Sequence, residues 1–532
     1  MHSLSFWFDP PQQVRMLDTG DEFDLIRRFE GGLAEVYMAV LRSDGTTHAV
    51  KMPRLQRPAS GGQTQPEWNE LPRERRAEII TGFRREVLIW VLLGRHPNIV
   101  QAHWFESCMR SNGSTHYVPA LVMEFVESTP SGSSTLAAKH GVGLEPAIRY
   151  CAQAAAGLIH ARSAIRQRTR RDFVHQDISP DNLLLTAEDT VKVTDFGLAR
   201  VFGAVGGGKC AYMAPEQWLG KTTDERTDTY ALGCILFELL EGTKAFPNCT
   251  RENGREQHLG ARLALTGIAT SGETVPQEVQ DLVKRCLDKS MKKRPRLDQL
   301  FATLQTVHAR ISTEHRDLAP PPGELDAEDW HHMSVAFEGL GVYREAAEAS
   351  DRAIRANPAE PKYWTLAGHV RLRLGDSGGA VQFYEKALAI QPDFPQALIG
   401  LGHVLIAEER FSEAVNCFND AERADPQLPG AYLGRGMAHY FLEDIQGAVN
   451  DFRKAHELGC IGEANTALGN VALDHDKDPE SALSYYDAAI EADPACIGAY
   501  RNMAKALRLL GRRAEAKACE RTADRLEAAL KM

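Results

Sequence analysis

The sequence lacks any apolar run long enough to cross a membrane, for which about 18 or more apolar residues are needed. Its first residues, MHSLSFWFDPPQQ, also lack the basic segment and the apolar segment of a secretory signal. We therefore expect no membrane span and predict that the chain stays in the cytoplasm.

Paired cysteines are lacking too, although the chain contains ten cysteines. None of them has the C-x-x-C spacing that is typical of zinc and redox sites. We therefore predict free thiols that are mostly buried, as free cysteines usually are.

A basic surface is lacking in the C-terminal part. From residue 325 onward the chain has 22 Lys and Arg against 33 Asp and Glu, whereas the part before it has 39 of each. The whole net charge of −11 therefore arises in the C-terminal part. Because nucleic-acid binding depends on positive charge, we expect no nucleic-acid partner there.

The length and composition indicate a soluble protein of several domains. A chain of 532 residues is too long for one core, and 43% hydrophobic with 25% charged residues is ordinary for globular proteins. The stretch DLAPPPGELDAEDW contains three consecutive prolines between two helical patterns. We predict a proline-rich linker at 312–325.

Past the linker the sequence repeats every 34 residues. A proline recurs at this period, with a cysteine at one position: Pro358, Pro392, Pro426, Cys460 and Pro494. An alanine recurs in the middle of each repeat: Ala346, Ala380, Ala414, Ala448 and Ala482. With aromatic residues near the repeat starts, this pattern resembles the tetratricopeptide repeat, a helix–turn–helix unit.

One helix pair is too small to bury its own apolar face, so the alanines would let neighbouring pairs approach and large residues would fill the gaps. The pattern predicts an all-α solenoid of five to six repeats over 326–532. The resemblance implies a groove that binds a protein or peptide. A rigid spacer or a dimerisation platform remains the alternative, and the oligomeric state is left open.

The N-terminal part carries six motifs in a fixed order. They are the loop FEGGLAEVYMAV, the strand THAVKMPR with Lys51, a helix with Glu86, the loop HQDISPDN, the triplet at 195–197 and the Ala-Pro-Glu triplet at 214–216. This series resembles bacterial Hanks-type (eukaryotic-like) serine/threonine protein kinases. The resemblance implies an α+β, bilobal protein-kinase fold over 22–311, after an N-terminal extension at 1–21.

By resemblance, each matched position has a role in phosphoryl transfer. Lys51 would contact the α- and β-phosphates of ATP and pair with Glu86. Asn182 and Asp195 would hold Mg²⁺ through oxygen atoms, and Asp177 would accept the proton of the substrate hydroxyl. The nucleotide would also contact a set of glycine-loop, strand and hinge residues: Gly31, Gly32, Val36, Ala49, Met123, Glu124 and Val126.

Other matches are expected to be structural. By resemblance, Asp228 holds the catalytic loop from below, Glu216 pairs with Arg294, and His175 packs rather than acting as an acid or a base.

The glycine loop departs from the family pattern. The pattern falls on Phe29, Gly31 and Ala34, so only the middle glycine is kept, although Gly32 adds some freedom. Because backbone must approach the phosphates closely there, we expect weaker ATP affinity but not its loss.

The activation segment departs as well. Gln176 replaces the arginine that usually receives an activating phosphate, and LARVFGAVGGGKCAYM at 198–213 contains no serine or threonine. We therefore expect no switching by threonine phosphorylation in this segment. The single hydroxyl there, on Tyr212, is expected to pack.

The catalytic loop has Ser179 where the family usually has a lysine, and Lys209 stands where the family usually has a hydroxyl. We hypothesise a reciprocal exchange in which the cation enters the site from the activation segment. The alternative is that Lys209 points into solvent, as lone lysines usually do.

A basic run, ARSAIRQRTRRDF, precedes the catalytic loop. It is either a solvated helix end or a docking surface for an acidic substrate or for the acidic repeats.

Together, the motifs predict an ATP- and Mg²⁺-dependent protein kinase, serine/threonine-specific, whose repeat domain recruits a protein substrate or regulator. The alternative is a nucleotide-binding pseudokinase scaffold that acts through the repeat groove. The intact set of Lys51, Glu86, Asp177, Asn182 and Asp195 favours the enzyme, whereas the departures at Phe29 and Ser179 favour the scaffold.

Overall fold

The structure is a computed structural model that describes most of the chain. The described residues are 12–16, 22–30, 34–53, 72–110, 117–127, 135–139, 141–170, 172–196, 209–261, 263, 265–313, 317–339 and 341–530.

The first part of the chain forms a closed barrel of six antiparallel strands in the order β1–β2–β3–β4–β6–β5. The strands are β1 Gln12–Met16, β2 Glu22–Glu30, β3 Ala34–Leu41, β4 Thr47–Pro53, β5 Ala102–Arg110 and β6 Tyr117–Glu124. Side chains alternate along β3, where Tyr37, Ala39 and Leu41 are buried and the residues between them are half-buried. This period of two is the pattern of a strand with one face on a core.

Strand β1 comes from the segment predicted as an N-terminal extension. It pairs with β2 and with β5, so it closes the barrel between the two. Val14 is fully buried in the same apolar cluster as Phe23 of β2. Part of the predicted extension is therefore built into the sheet.

Helix α1 (Arg73–Val91) connects β4 to β5 and packs on the barrel. The inner face of α1 is apolar: Phe83, Val87 and Trp90 are buried in the main core of the molecule. These side chains recur at i, i+4 and i+7, which places them on one stripe of the helix.

The second lobe is helical around α2 (Leu144–Thr169), most of which is buried. A short hairpin of β7 (Leu183–Leu185) and β8 (Val191–Val193) precedes the other helices of this lobe. These helices are α3 Pro215–Trp218, α4 Glu225–Glu241, α5 Gly254–Gly260, α6 Gln277–Cys286 and α7 Leu297–Ile311.

Within residues 317–339 and 341–530, twelve helices form six helix–turn–helix pairs. They are α8 Ala327–Gly339, α9 Tyr343–Ala356, α10 Pro361–Arg373, α11 Ser377–Ile390, α12 Pro395–Ala407, α13 Phe411–Ala424, α14 Pro429–Phe441, α15 Ile445–Glu457, α16 Ile461–Asp474, α17 Pro479–Ala492, α18 Ile497–Leu509 and α19 Arg513–Leu530. The predicted all-α repeat solenoid is confirmed.

The repeat core follows the 34-residue period. The five mid-repeat alanines predicted from the sequence are fully buried, and so are the large side chains Tyr384, Phe418 and Tyr486. A Cβ at Gly400 would lie only 2.5 Å from the ring of Tyr384, so glycine is required for this close approach. Each buried aromatic ring contributes about 1.5–3 kcal/mol by burial.

Among the described residues, no helix is both long enough and apolar enough to cross a membrane. Nine cysteines of the described part are free thiols, as predicted. The prediction that they are mostly buried is wrong, because only Cys151, Cys234 and Cys286 are buried and the other six are partly exposed.

The basic run before the catalytic loop is engaged inside the N-terminal domain. Arg162 pairs with Glu225 at 2.7 Å, and Arg168 donates to the carbonyl oxygen of Leu92 at 2.8 Å. These two arginines therefore do not dock the acidic repeats. Contacts between the domains include those of α1 and of Arg95, which pairs with residues of the first repeat helix and its N-terminal end. Met333, Ala336 and Phe337 of that helix also pack in the main apolar core.

Candidate active site

The catalytic loop is fixed from below by one buried carboxylate. Asp228 accepts the backbone N–H groups of His175 at 2.9 Å and of Gln176 at 2.8 Å. Burial raises the pKa of Asp228 to about 7, although the two N–H groups lower it. Gln176 has a φ of 65°, which is uncommon for a side chain of this size. The two hydrogen bonds that the backbone donates to Asp228 stabilise this conformation.

The side chain of His175 has a packing role, as the sequence predicts. Its ring lies 5.1 Å from that of Phe196, and Nε2 contacts the carbonyl oxygen of Thr194 at 3.1 Å. Burial lowers the pKa of His175 to about 4, so the ring is neutral near pH 7. Phe196 also contacts Trp90 of α1, with 5.6 Å between ring centroids. The two lobes therefore meet through these three rings.

Asp177 and Asn182 lie at opposite ends of the catalytic loop and are joined by hydrogen bonds. The Asn182 side-chain amide donates to the Asp177 carbonyl oxygen at 2.7 Å and to its carboxylate at 3.3 Å. Burial and the nearby charge of Asp195 raise the pKa of Asp177 to about 7. A carboxyl group with a pKa near 7 is well suited to proton transfer near neutral pH.

Lys51 is brought to the other side of this site by β4. Its ammonium group contacts the Asp195 carboxylate and lies 5.3 Å from the centre of the Trp90 ring. The lysine is only 3% exposed, so the contact with Asp195 compensates much of the cost of burying its charge. Glu86 belongs to α1, and its side chain lies outside the described part of the structure.

The predicted adenine-contacting residues lie along β3, β4 and β6 and just after β6. Ala49 and Met123 are cross-strand neighbours and are buried, as is Val126. Val36 is half-buried and packs against the main core. The carboxylate of Glu124 accepts the backbone N–H of Gln101 at 3.1 Å.

The glycine loop is only partly described. Gly31 and Gly32 lie outside the described residues. Phe29 occupies the first glycine position of the family pattern. Its ring lies 6.3 Å from that of Phe125, in the segment that follows β6. A large ring therefore stands at the edge of the cleft where the family pattern has no side chain.

Ser179 and Lys209 have very different environments. Ser179 is 1% exposed, at the start of a 3-10 turn (Pro180–Asn182). Lys209 is about half exposed, and its ammonium group contacts the carboxylate of Asp181 in that turn. The pKa of Lys209 is lowered by burial, and the negative charge of Asp177 opposes that effect. Lys209 therefore contacts the catalytic loop and interacts electrostatically with Asp177.

Beyond the activation segment, whose residues 197–208 lie outside the described part, the chain is anchored by buried polar pairs. Arg294 donates to both carboxylate oxygens of Glu216, at 2.8 and 2.9 Å, which is the predicted pair. Tyr212 is buried, as expected, and its hydroxyl donates to Glu238 at 2.5 Å.

The residues present fit a Mg²⁺ ion bound with a nucleotide. Because the Asn182 amide nitrogen is used by Asp177, its oxygen is left to act as a ligand. Asp195 has a second carboxylate oxygen besides the one that contacts Lys51. Among the described residues, no group of three or more His, Cys, Asp and Glu side chains could hold a metal. Two protein ligands completed by phosphate oxygens are what Mg²⁺ commonly uses.

Sequence reasoning missed three contacts that bear on the site: Trp90 under Lys51, Asp181 beside Lys209, and Gln217, whose amide donates to the Gln176 carbonyl oxygen at 2.8 Å. The position of Gln217 beside the Ala-Pro-Glu triplet was a weak signal. The other two had no local signal in the sequence.

Comparisons with known proteins agree with this arrangement. Residues 30–304, just over half of the chain, match the family model of the protein kinase domain. Two models of the tetratricopeptide repeat match residues 334–395 and 371–434.

Three curated bacterial relatives are similar over half to two thirds of the chain. The tyrosine-protein kinase MasK of Myxococcus xanthus is 32% identical over 49% of this chain and 38% of the relative. The probable serine/threonine-protein kinase PknB of Bifidobacterium longum is 28% identical over 62% of this chain and 43% of the relative. The serine/threonine-protein kinase PknA of Mycobacterium tuberculosis is 29% identical over 66% of this chain and 73% of the relative.

The chain thus spans about two fifths of the length of the first two relatives. The fold, the order of the motifs and the family match lead to one conclusion. The chain belongs to the protein kinase family, in its bacterial Hanks-type form, and carries tetratricopeptide repeats after the kinase domain.

Proposed function

We propose that the chain is an active ATP- and Mg²⁺-dependent protein kinase of the cytoplasm, specific for serine and threonine, whose repeats recruit a protein substrate or regulator. One observation carries the proposal. Lys51 contacts Asp195, burial and the charge of Asp195 raise the pKa of Asp177, and Asp177 accepts hydrogen bonds from Asn182, so the four groups form one connected site. A scaffold would have no need for this connection.

Each side chain has a task in this proposal. Lys51 orients the α- and β-phosphates of ATP through its ammonium group, and Asn182 and Asp195 hold Mg²⁺ by their oxygens. When bound, Mg²⁺ offsets the negative charge of the phosphates. Asp177 takes the proton from the substrate hydroxyl while the hydroxyl oxygen bonds to the γ-phosphorus and the bond to ADP breaks.

The environment of Asp177 supports its role as the base. The raised pKa makes the carboxylate a stronger proton acceptor than an exposed aspartate, which has a pKa of about 3.9. The hydrogen bond from Asn182 keeps the carboxylate oriented within the loop. Holding a base in place contributes much of the rate of such reactions.

The proposal includes the exchange of cation between Ser179 and Lys209. The contact of Lys209 with Asp181 and its electrostatic interaction with Asp177 support an ammonium group beside the transferring phosphoryl. Loss of this cation would cost about 3 kcal/mol of transition-state stabilisation, by analogy with other charge clamps.

The exchange is tested by comparing Lys209→Ala, Ser179→Lys and the double variant Ser179→Lys/Lys209→Thr. We expect Lys209→Ala to lose about a hundredfold in rate and the double variant to recover most of it. A Lys209→Ala variant as active as the wild type would refute the exchange, as would simple additivity of the single effects.

Specificity for serine and threonine is supported by two relatives, PknA and PknB, whose names state it, and by Pro180 in the catalytic loop. MasK is named a tyrosine-protein kinase, so the choice needs a direct test. Phosphoamino-acid analysis of the labelled product distinguishes the two outcomes.

The experiment that tests the main proposal is incubation of the full chain with labelled ATP, Mg²⁺ and a general protein substrate. We expect transfer that disappears on removal of Mg²⁺ and in Asp195→Ala, because both changes remove the metal-binding arrangement. Equal labelling by wild type and Asp195→Ala would refute the assignment.

A nucleotide-binding scaffold is the second candidate, favoured by the ring of Phe29 at the cleft edge and by Ser179 in place of lysine. It predicts binding of ATP without transfer under every condition. Measured nucleotide binding together with absent labelling would replace the first proposal by this one.

A further inference from the structure

The N-terminal half of helix α1 is covered by the last repeats, whereas its C-terminal half carries the apolar inner face. Arg76 is 2% exposed and donates to both carboxylate oxygens of Glu491, at 2.6 and 2.8 Å. Arg73 donates to Asp487 at 2.5 Å. The pairs join residues of α1 to residues of α17 that are more than 400 positions away in sequence.

Apolar side chains continue the same contact. Ala77 packs in one cluster with Ala489, Ile490, Tyr500 and Leu526, which come from α17, α18 and α19. Ile80 of α1 forms another small cluster with Ala495. The two domains therefore meet through a buried apolar surface flanked by ion pairs.

The contacting residues of α1 form one stripe. Arg73, Ala77, Ile80 and Arg84 recur at i, i+4, i+7 and i+11, and Arg84 approaches Asp493 to 3.7 Å. Phe83, Val87 and Trp90 face the core from a neighbouring stripe in the C-terminal half of the helix. The basic and apolar side chains of this stripe complement the acidic and apolar surface formed by α17, α18 and α19.

The position of α1 matters because it carries Glu86 and contacts the site. Its inner face places Trp90 against Lys51 and Phe196. In protein kinases, the lysine on the third strand and the glutamate of this helix must be in place for transfer, and movement of the helix controls activity. A contact that fixes the N-terminal half of α1 therefore acts on its C-terminal half, because the helix moves as a unit.

We propose that the surface formed by α17, α18 and α19 is a docking site for helix α1 of the same chain. Docking holds α1 inward against the barrel and keeps the kinase site in its competent arrangement. This inference rests on the proposed kinase activity for its functional part. Asp487 and Glu491 act as positioning residues, since they reach the site only through α1.

Charge reversal in the full chain tests this docking. The variants are Arg76→Glu, Glu491→Arg and the double variant that carries both. The control is Glu385→Arg. Glu385 is exposed on α11 and lies three repeats before Asp487, at the same position within its repeat. The measurements are kcat and KM for ATP, and amide hydrogen exchange of α1.

Each single reversal places like charges together at a buried contact. We expect about a tenfold loss of kcat/KM for ATP, within the usual range of coupling between sites, and faster exchange across α1. The double variant should recover most of both, whereas Glu385→Arg should change neither. Recovery by the second reversal separates docking from simple misfolding of a single variant.

The inference is refuted if the single reversals leave the exchange of α1 unchanged, if they raise activity, or if the double variant recovers nothing. A wild-type chain that transfers no phosphoryl group would refute the proposed function instead. Hydrogen exchange in the single and double variants would then decide the docking by itself.

Discussion

The catalytic loop and the repeat solenoid are stabilised by different means. Around the loop, charged and polar groups are buried and held by specific hydrogen bonds and ion pairs, such as those of Asp228 with the backbone and of Arg294 with Glu216. In the solenoid, the core is built from alanine, glycine and aromatic rings that recur every 34 residues. Removal of one group should therefore have far larger effects near the loop than in the repeats.

The difference reflects what each region must do. A reactive site needs a carboxylate with a shifted pKa, and such a shift requires burial and neighbouring charge. A repeat array needs only that each pair stacks on the next, so its stability is a sum of similar local terms. A single substitution is therefore expected to have a large effect near the catalytic loop and a smaller, local effect on stability in the repeats.

The largest expected effect is that of replacing Asp177, the proposed base. Asp177→Asn keeps the shape of the side chain and its contact with Asn182 but removes proton acceptance, so kcat should fall about 10²- to 10⁴-fold. Steady-state kinetics with labelled ATP measure this, with circular dichroism as the control for folding. A loss of less than about fivefold would show that Asp177 is not the base.

The buried ion pair should show the next largest effect, on stability. Glu216→Ala leaves the guanidinium of Arg294, which is fully buried, without its counter-charge, and should cost about 3–5 kcal/mol. Urea unfolding measures the change. The matched control is Glu278→Ala, which breaks an exposed pair with Arg310 and should not shift the unfolding midpoint. Equal effects in the two variants would contradict the contrast.

A change in the repeats should be smaller and local. Gly400→Ala places a methyl group against the ring of Tyr384 and should cost about 1–3 kcal/mol. Gly378→Ala, at an exposed helical position with open space, should be neutral or stabilising by up to about 1 kcal/mol. Amide hydrogen exchange should become faster only in the repeats next to Gly400, because each repeat contacts only its neighbours. Faster exchange in the catalytic loop would contradict this expectation.

The sequence predicted the two folds well because both leave strong patterns. The order of six motifs indicated the kinase fold, and the 34-residue period indicated the solenoid before any contact was known. Local motifs also predicted the Glu216–Arg294 pair and the packing of His175, and the structure confirms both. These features depend on short-range patterns or on family-wide spacing.

The remaining features depend on contacts between distant residues that no local pattern encodes. Strand β1 joins the barrel through pairing with β5, which lies about ninety residues later. The basic residues that meet the acidic repeats are those of α1 and Arg95, and not Arg162 of the run before the catalytic loop. Both runs are rich in arginine, so charge alone could not distinguish them. The sequence signal for the contact between α1 and the repeats was the stripe of α1 that contains Ala77 and Ile80.

The pH dependence of the reaction should sharpen the contrast further. Because Asp177 accepts a proton only when ionised and its pKa is raised to about 7, kcat/KM should rise about tenfold per pH unit below 7 and level off above it. A profile that is flat between pH 5 and 8 would contradict the assigned environment of Asp177.

The smallest effect is expected where the site meets solvent. The Lys209–Asp181 contact joins two side chains that are 54% and 42% exposed, so Asp181→Ala should change stability by less than about 1 kcal/mol. Phosphoryl transfer should stay within about threefold of wild type, because Lys209 keeps its electrostatic attraction to Asp177 without Asp181. If Asp181→Ala lost as much activity as Lys209→Ala, the position of the ammonium group would depend on Asp181. The Lys209–Asp181 pair would then matter as much as the buried pairs around the catalytic loop, unlike an exposed pair such as Arg310–Glu278.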